Sequence, residues 1–172
     1  MPAQEERGRQ LLENLGIPSG AKWVVAHARE SGFHNRAYDN YRCTSIDSYY
    51  DAIRFLAEEG YFVLRVGDRS MTQLPDLGPR VFDLPFRAEY DFLLDVYGIA
   101  HCEFMMSAHS GPCMLARAFD RPCLGINVPV TFAHIPGERD MLALRRYHAP
   151  LSEGGHQLSY AEILDAYYRH GQ

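Results

Sequence analysis

Residues 101–119 read HCEFMMSAHSGPCMLARAF, and no other segment says as much about the architecture. A short apolar run, His101 to Met106, gives way to a small polar turn, Ser107-Ala108-His109-Ser110-Gly111. Apolar residues at helical spacing then run to Phe119, with Pro112 in the first turn, where a helix has no use for the missing N–H. This is a strand passing through a tight turn into a helix, the unit from which parallel sheets are assembled.

The same unit repeats on either side. Trp23-Val24-Val25-Ala26 is wholly apolar and partly β-branched, as a strand covered on both faces must be. Phe62-Val63-Leu64 with Val66 forms a second strand, Val81-Phe82 a short third, His101 to Met106 the fourth and Cys123-Leu124-Gly125-Ile126 the fifth. Between them lie helical patterns. One spans 5–15 and is closed by Gly16; one starts at Thr44-Ser45-Ile46-Asp47, carries the stripe Tyr49, Ile53, Leu56 and stops at Gly60. Residues 88–97 make a third, through Tyr90, Leu93, Leu94 and Tyr97, closed by Gly98; a Pro-rich loop, 127–140, precedes a last helix near 159–169 capped by Ser159. The expectation is one α/β, Rossmann-like domain over 1–172, with a parallel sheet of about five strands and helices on both faces.

Composition narrows the function classes. The 172 residues are 47% hydrophobic and 23% charged, which excludes disordered, collagen-like and coiled-coil chains. A net charge of -5 argues against nucleic-acid binding, which relies on surplus cations. No apolar run reaches the ~20 residues of a membrane span, and MPAQEERGRQ is charged where a signal peptide is apolar, so a cytoplasmic protein is expected. Lys22 is the only lysine among 17 basic residues, a bias that GC-rich coding explains as well as phosphate binding does. Cys43, Cys102, Cys113 and Cys123 form no CxxC pair, and the eight histidines no HExxH, so neither disulfides nor a metal are expected.

In a doubly wound sheet, ligands sit beyond the carboxyl ends of the strands. Three segments fall there. The irregular stretch 29–45, RESGFHNRAYDNYRCTS, is long enough to be a functional loop. Arg29 at its start either clamps a diphosphate through paired charge-assisted bonds or pairs with Glu30 or Asp39. Its place at a strand end favours the clamp, an argument that does not extend to Arg36 or Arg42. His27 reads as a hydrogen-bonded core residue, and Asp68, after strand two, either binds a ribose hydroxyl or caps a turn. Ser107 to Gly111 offers the free N–H groups of a helix start to phosphate, or is a plain capping turn. Ser110 as a hydrolase nucleophile is the weaker reading, since Ala108 stands where GxSxG has its first glycine.

Five segments together, WVVAHAR (23–29), YFVLRVGDRS (61–70), SAHSG (107–111), RPCLGIN (121–127) and LSYAEIL (158–164), resemble a bacterial glycosyltransferase-like family associated with surface-polysaccharide and secondary-metabolite genes. The resemblance covers about residues 7–165 and extends distantly to fucosyltransferase-type enzymes of the two-domain GT-B class. It implies the carboxyl-terminal, nucleotide-sugar-binding half of such an enzyme. His27-Ala28-Arg29 then matches an H-x-R motif that contacts the diphosphate, and Ser107, Ser110 and Gly111 match the hydroxyl-rich turn that holds its other side. His109 departs from the family, which has a small hydroxyl residue there. The resemblance implies a nucleoside-diphosphate sugar as substrate with no cofactor and no metal. It also implies an acceptor half supplied by a partner glycosyltransferase subunit or a homodimer. Catalytic candidates are Arg29 and, through the shared loop, Glu30 and Asp39; the rival reading is a non-catalytic accessory subunit.

Overall fold

The computed structural model describes residues 2–32, 42–129 and 137–170. In chain order the elements are α1 (Pro2–Asn14), β1 (Trp23–His27), α2 (Tyr50–Glu58) and β2 (Phe62–Arg65). They continue with β3 (Val81–Asp83), α3 (Phe92–His101), β4 (Met105–Ser107) and α4 (Gly111–Ala118), and end with β5 (Cys123–Val128), β6 (Met141–Leu144) and α5 (Tyr160–His170). One sheet takes all six strands in the order β3-β2-β1-β4-β5-β6, and every pairing is parallel. The chain grows outward from β1 to β3, then returns to the other side of β1 with β4. The topological switch point therefore lies between β1 and β4, where crossovers leave in opposite directions and open a crevice.

The apolar character of β1 follows from its place at the centre. Val25 packs with Leu64, Leu94, Ile99 and Met105 under α1 and α3, while Val24 and Ala26 pack with Ile53, Val63 and Met106 under α2. Among the described residues no helix is long and apolar enough to cross a membrane.

The helix end at Gly98 and the start of the fourth strand are corrected, whereas the parallel sheet of about five strands is present, with Met141–Leu144 as an added edge strand beside β5. Its run MLAL is apolar without alternation and largely exposed, so it carries no periodic signal. Gly98 does not close a helix: α3 runs through it to His101. A Cβ at Gly98 would lie 3.2 Å from Leu64 Cδ1, so the missing side chain serves close approach of helix to sheet rather than termination. The fourth strand consequently begins later, at Met105, with only its hydrogen-bonded approach, Glu103 N–H to Trp23 O at 2.9 Å, in the segment read as strand. Ser159 does cap α5: its Oγ accepts from Glu162 N–H, and the Glu162 carboxylate accepts from Ser159 N–H at 2.7 Å.

Candidate functional site

β1 and β4 leave the sheet side by side. His27 is in register with Ser107, and the Ala108 N–H donates to the His27 carbonyl at 3.0 Å. The two exits predicted to face one ligand thus form the two lips of the switch-point crevice. His27 is buried, and its Nδ1 donates to the Val66 carbonyl at 3.1 Å. Burial, reinforced by the nearby Arg65 and Arg29 charges, pushes its pKa down to about 4, so the ring is neutral near pH 7.

Arg29 follows at the β1 exit, half-buried. Its carbonyl accepts from Thr44 N–H at 2.9 Å, which pins together the two ends of the long loop. The returning end is tied across the sheet: Asn127 Nδ2 donates to Thr44 Oγ1 at 2.7 Å, and Arg145 to the Cys43 carbonyl at 2.7 Å. Asn127 itself has a φ of 54°, a left-handed backbone that asparagine tolerates better than most residues. Asp39 and Arg36 lie outside the described residues.

On the facing lip, Ser107 is buried and donates to the Ala108 carbonyl at 2.6 Å. His109 is half-buried, and Ser110 is the extended residue (φ -156°) that precedes α4. Its Oγ makes no capping bond; it is buried and has no hydrogen-bond partner among the described residues. A buried hydroxyl left unmatched costs free energy comparable to a lost hydrogen bond, which an incoming acceptor would recover. Gly111 is exposed, with nothing within 4 Å of where a Cβ would stand, so the helix start is open to an approaching group.

The other two candidates sit on the β2 side. Glu30 accepts from Thr72 N–H at 2.8 Å and from Arg65 at 3.4 Å, which turns its carboxylate toward the sheet interior. Asp68 Oδ1 accepts from Ser70 N–H at 2.7 Å, closing the turn after β2. Hence His27, Arg29, Ser107, His109, Ser110 and Gly111 all stand at or just beyond the ends of the adjacent strands β1 and β4, while Glu30 and Asp68 are bonded on the β2 side. Among the described residues no group of three His, Cys, Asp or Glu side chains is placed to hold a metal ion.

Sequence reading missed Asp95, in the first turn of α3. It is buried, it accepts from the Tyr90 hydroxyl at 2.9 Å, and burial pushes its pKa up to about 6. His27 and Asp95 make opposite demands on pH. The lowered His27 value favours folding above its usual 6.5 and withdraws that support as pH falls toward 4, by at most about 3 kcal/mol. The raised Asp95 value favours folding at acid pH and loses its effect as pH rises from 3.8 through 6. Asp95→Asn should therefore show a steeper loss of stability from pH 6.5 to 4 than the wild type in urea titrations. A parallel pair of curves would refute the opposition.

A wider opening of about 530 Å³ lies at the opposite, amino edge of the sheet, beside the starts of β5 and β6. Four of its charges pair among themselves, Arg117 with Asp140 at 2.7 Å and Arg139 with Asp120 at 2.8 Å, and Arg121 reaches the Cys102 carbonyl at 3.5 Å.

No protein-family model matches the sequence, and no curated protein is significantly similar to it. Solved structures do match the fold. The ADP-heptose lipopolysaccharide heptosyltransferase II of E. coli superposes with a TM-score of 0.62 at 14% identity, over 94% of this chain and 47% of its own. A family 9 glycosyl transferase from Veillonella parvula DSM 2008 gives a TM-score of 0.61 at 8% identity, over 97% of this chain and 51% of its own. The chain thus has the fold of one half of a glycosyltransferase and spans about half the length of the structures it matches. One of these structures is a heptosyltransferase and the other a family 9 glycosyl transferase, so they support a glycosyltransferase-type fold and not the fucosyltransferase type that the sequence resemblance named.

Proposed function

We propose that this domain binds a nucleoside-diphosphate sugar as the carboxyl-terminal half of a glycosyltransferase. The observation that carries the reading is the β1/β4 crevice: in a glycosyltransferase half-fold, the switch point has an arginine on one lip and an open helix start with an unmatched hydroxyl on the other. These are the groups that a departing diphosphate needs. Arg29 supplies a delocalised cation with paired donors. The first N–H groups of α4 and Ser110 Oγ supply fixed dipoles whose reorganisation cost is met in folding. Both act where negative charge grows as the sugar–phosphate bond breaks, and neither requires a metal.

Glu30 is tied to Arg65 and Thr72, so its role here is to shape the β1 exit rather than to move a proton. The acceptor and its general base then come from a second domain, whether on the same polypeptide, a partner subunit or another copy. A role in cytoplasmic polysaccharide or secondary-metabolite assembly accords with the sequence resemblance. The hydrolase alternative needs Ser110 Oγ bonded to a base, and among the described residues it has no such partner.

Calorimetric titration with ADP-, GDP-, UDP- and dTDP-sugars, each with and without EDTA, tests the reading. Saturable binding of at least one, unchanged by the chelator, is expected. No heat with any of the four overturns it.

A further inference from the structure

The turn after β2 is held from beneath by a group that the proposed chemistry does not use. Asp95 is 7% exposed. Its Oδ2 accepts from Tyr90 O–H at 2.9 Å, the Gly67 N–H lies close enough to favour its charged form, and its Oδ1 has no hydrogen-bond partner. The same Tyr90 hydroxyl lies 3.4 Å from the Gly67 carbonyl. Gly67 has a φ of 145°, and a Cβ there would stand 2.3 Å from Met71 Sδ and 3.6 Å from His27 Nδ1, so the turn is packed as well as bonded. Arg69 Nε donates to the Pro85 carbonyl at 2.9 Å, and Asp68 Oδ1 closes the turn on Ser70.

We propose that Asp95 is a positioning residue for the candidate site: from α3 it fixes the Gly67–Asp68 turn, and its charge sets how readily the neighbouring crevice accepts an anion. The ligand half of this statement rests on the nucleotide-sugar reading; the hold on the turn does not. Acting on Asp95 are Tyr90 from the segment before α3, the Gly67 N–H of the turn and Arg65 from β2; Asp68 and Asp91 act on Tyr90 as well, and Asp68 and Arg65 also act on neutral His27 at the end of β1. When Asp95 is ionised, its carboxylate and that of Asp68 both act on Tyr90, so two negative charges gather at one turn. An arriving diphosphate is repelled by both, so binding favours the protonated form of Asp95 and takes up a proton. Affinity must then rise as pH falls, and the diphosphate diester of a nucleotide sugar contributes no titration of its own in this range.

The test has one arm without ligand and one with it. In the free protein, the Gly67 amide resonance is expected to titrate with a midpoint at about 6. Tyr90→Phe removes a donor that favours the charged form, so the midpoint should move up; Asp95→Asn should abolish the titration. With ADP-glucose and UDP-glucose as probes, wild-type affinity should rise about three- to ten-fold from pH 7.5 to 5.5. The readout is the part of the rise that Asp95→Asn removes. A Gly67 amide that does not titrate, or the same pH slope in wild type and Asp95→Asn, overturns the proposal. If Asp95→Asn fails to fold, an unmoved midpoint in Tyr90→Phe overturns it equally. Titration of Gly67 without binding of an ADP-, GDP-, UDP- or dTDP-sugar overturns the nucleotide-sugar reading and supports Asp95's hold on the turn.

Discussion

Replacing Arg65 by methionine is expected to cost about 3–5 kcal/mol of folding stability. The side chain is 0% exposed in the middle of the sheet's carboxyl edge, and its guanidinium holds three separate segments. It donates to Asp83 at 2.9 Å, to the Thr72 carbonyl at 3.1 Å and to Glu30 at 3.4 Å. The two carboxylates, with side chains only 12% and 13% exposed, are themselves fastened to backbone, Asp83 to Leu74 N–H at 2.8 Å and Glu30 to Thr72 N–H at 2.8 Å. Methionine fills much of the volume but leaves two poorly hydrated negative charges facing each other. That penalty, not the lost attraction, makes the effect large. A second substitution, Asp83→Leu, should then recover part of the loss, because it removes one of the stranded charges. Urea denaturation followed by circular dichroism measures both. A loss below about 1 kcal/mol in Arg65→Met would show that the cluster is better hydrated than its burial indicates.

Arg65 also marks where sequence reading stops. The strand FVLR was legible from its apolar run, and so was its neighbour WVVAH, because a strand covered on both faces needs little but apolar side chains. What could not be read was the reason for a cation within that run, since its partner Asp83 is 18 positions away and faces it only through the β2/β3 register. Asp95 was hidden for the same reason, being one acid in an amphipathic helix whose significance comes from Gly67 on another element. The strand ends were more legible: SAHSG and HAR sit where β4 and β1 end, side by side in the sheet. Boundaries failed where one residue type serves two purposes: Gly98 looked like a helix stop because packing against Leu64 leaves the same mark in the sequence as a left-handed cap.

Arg29→Lys should weaken nucleotide-sugar binding by roughly ten-fold to more than a hundred-fold, although it keeps the charge. The backbone at Arg29 is fixed, since its N-terminal neighbours lie in β1 and its carbonyl accepts from Thr44 N–H at 2.9 Å. The chain therefore cannot shift to carry the shorter lysine's ammonium to where the guanidinium stood. A planar fork offers two parallel donors to adjacent phosphate oxygens, whereas an ammonium offers a point charge that holds its water more tightly. Losing one charge-assisted bond of this kind costs about 1.5–3 kcal/mol, which is the stated range in affinity. Arg54→Lys is the control. Arg54 is half-exposed on α2, pairs only with Asp51 one turn away, and should alter neither binding nor melting temperature. Titration calorimetry and thermal melts on the two variants separate the outcomes. Wild-type affinity in Arg29→Lys refutes the diphosphate clamp. A lowered melting temperature with Arg54→Lys unaffected makes Arg29 a structural tie for the 29–45 loop instead. Weakened binding at an unchanged melting temperature leaves the guanidinium fork at the β1 exit as the group that meets the phosphates.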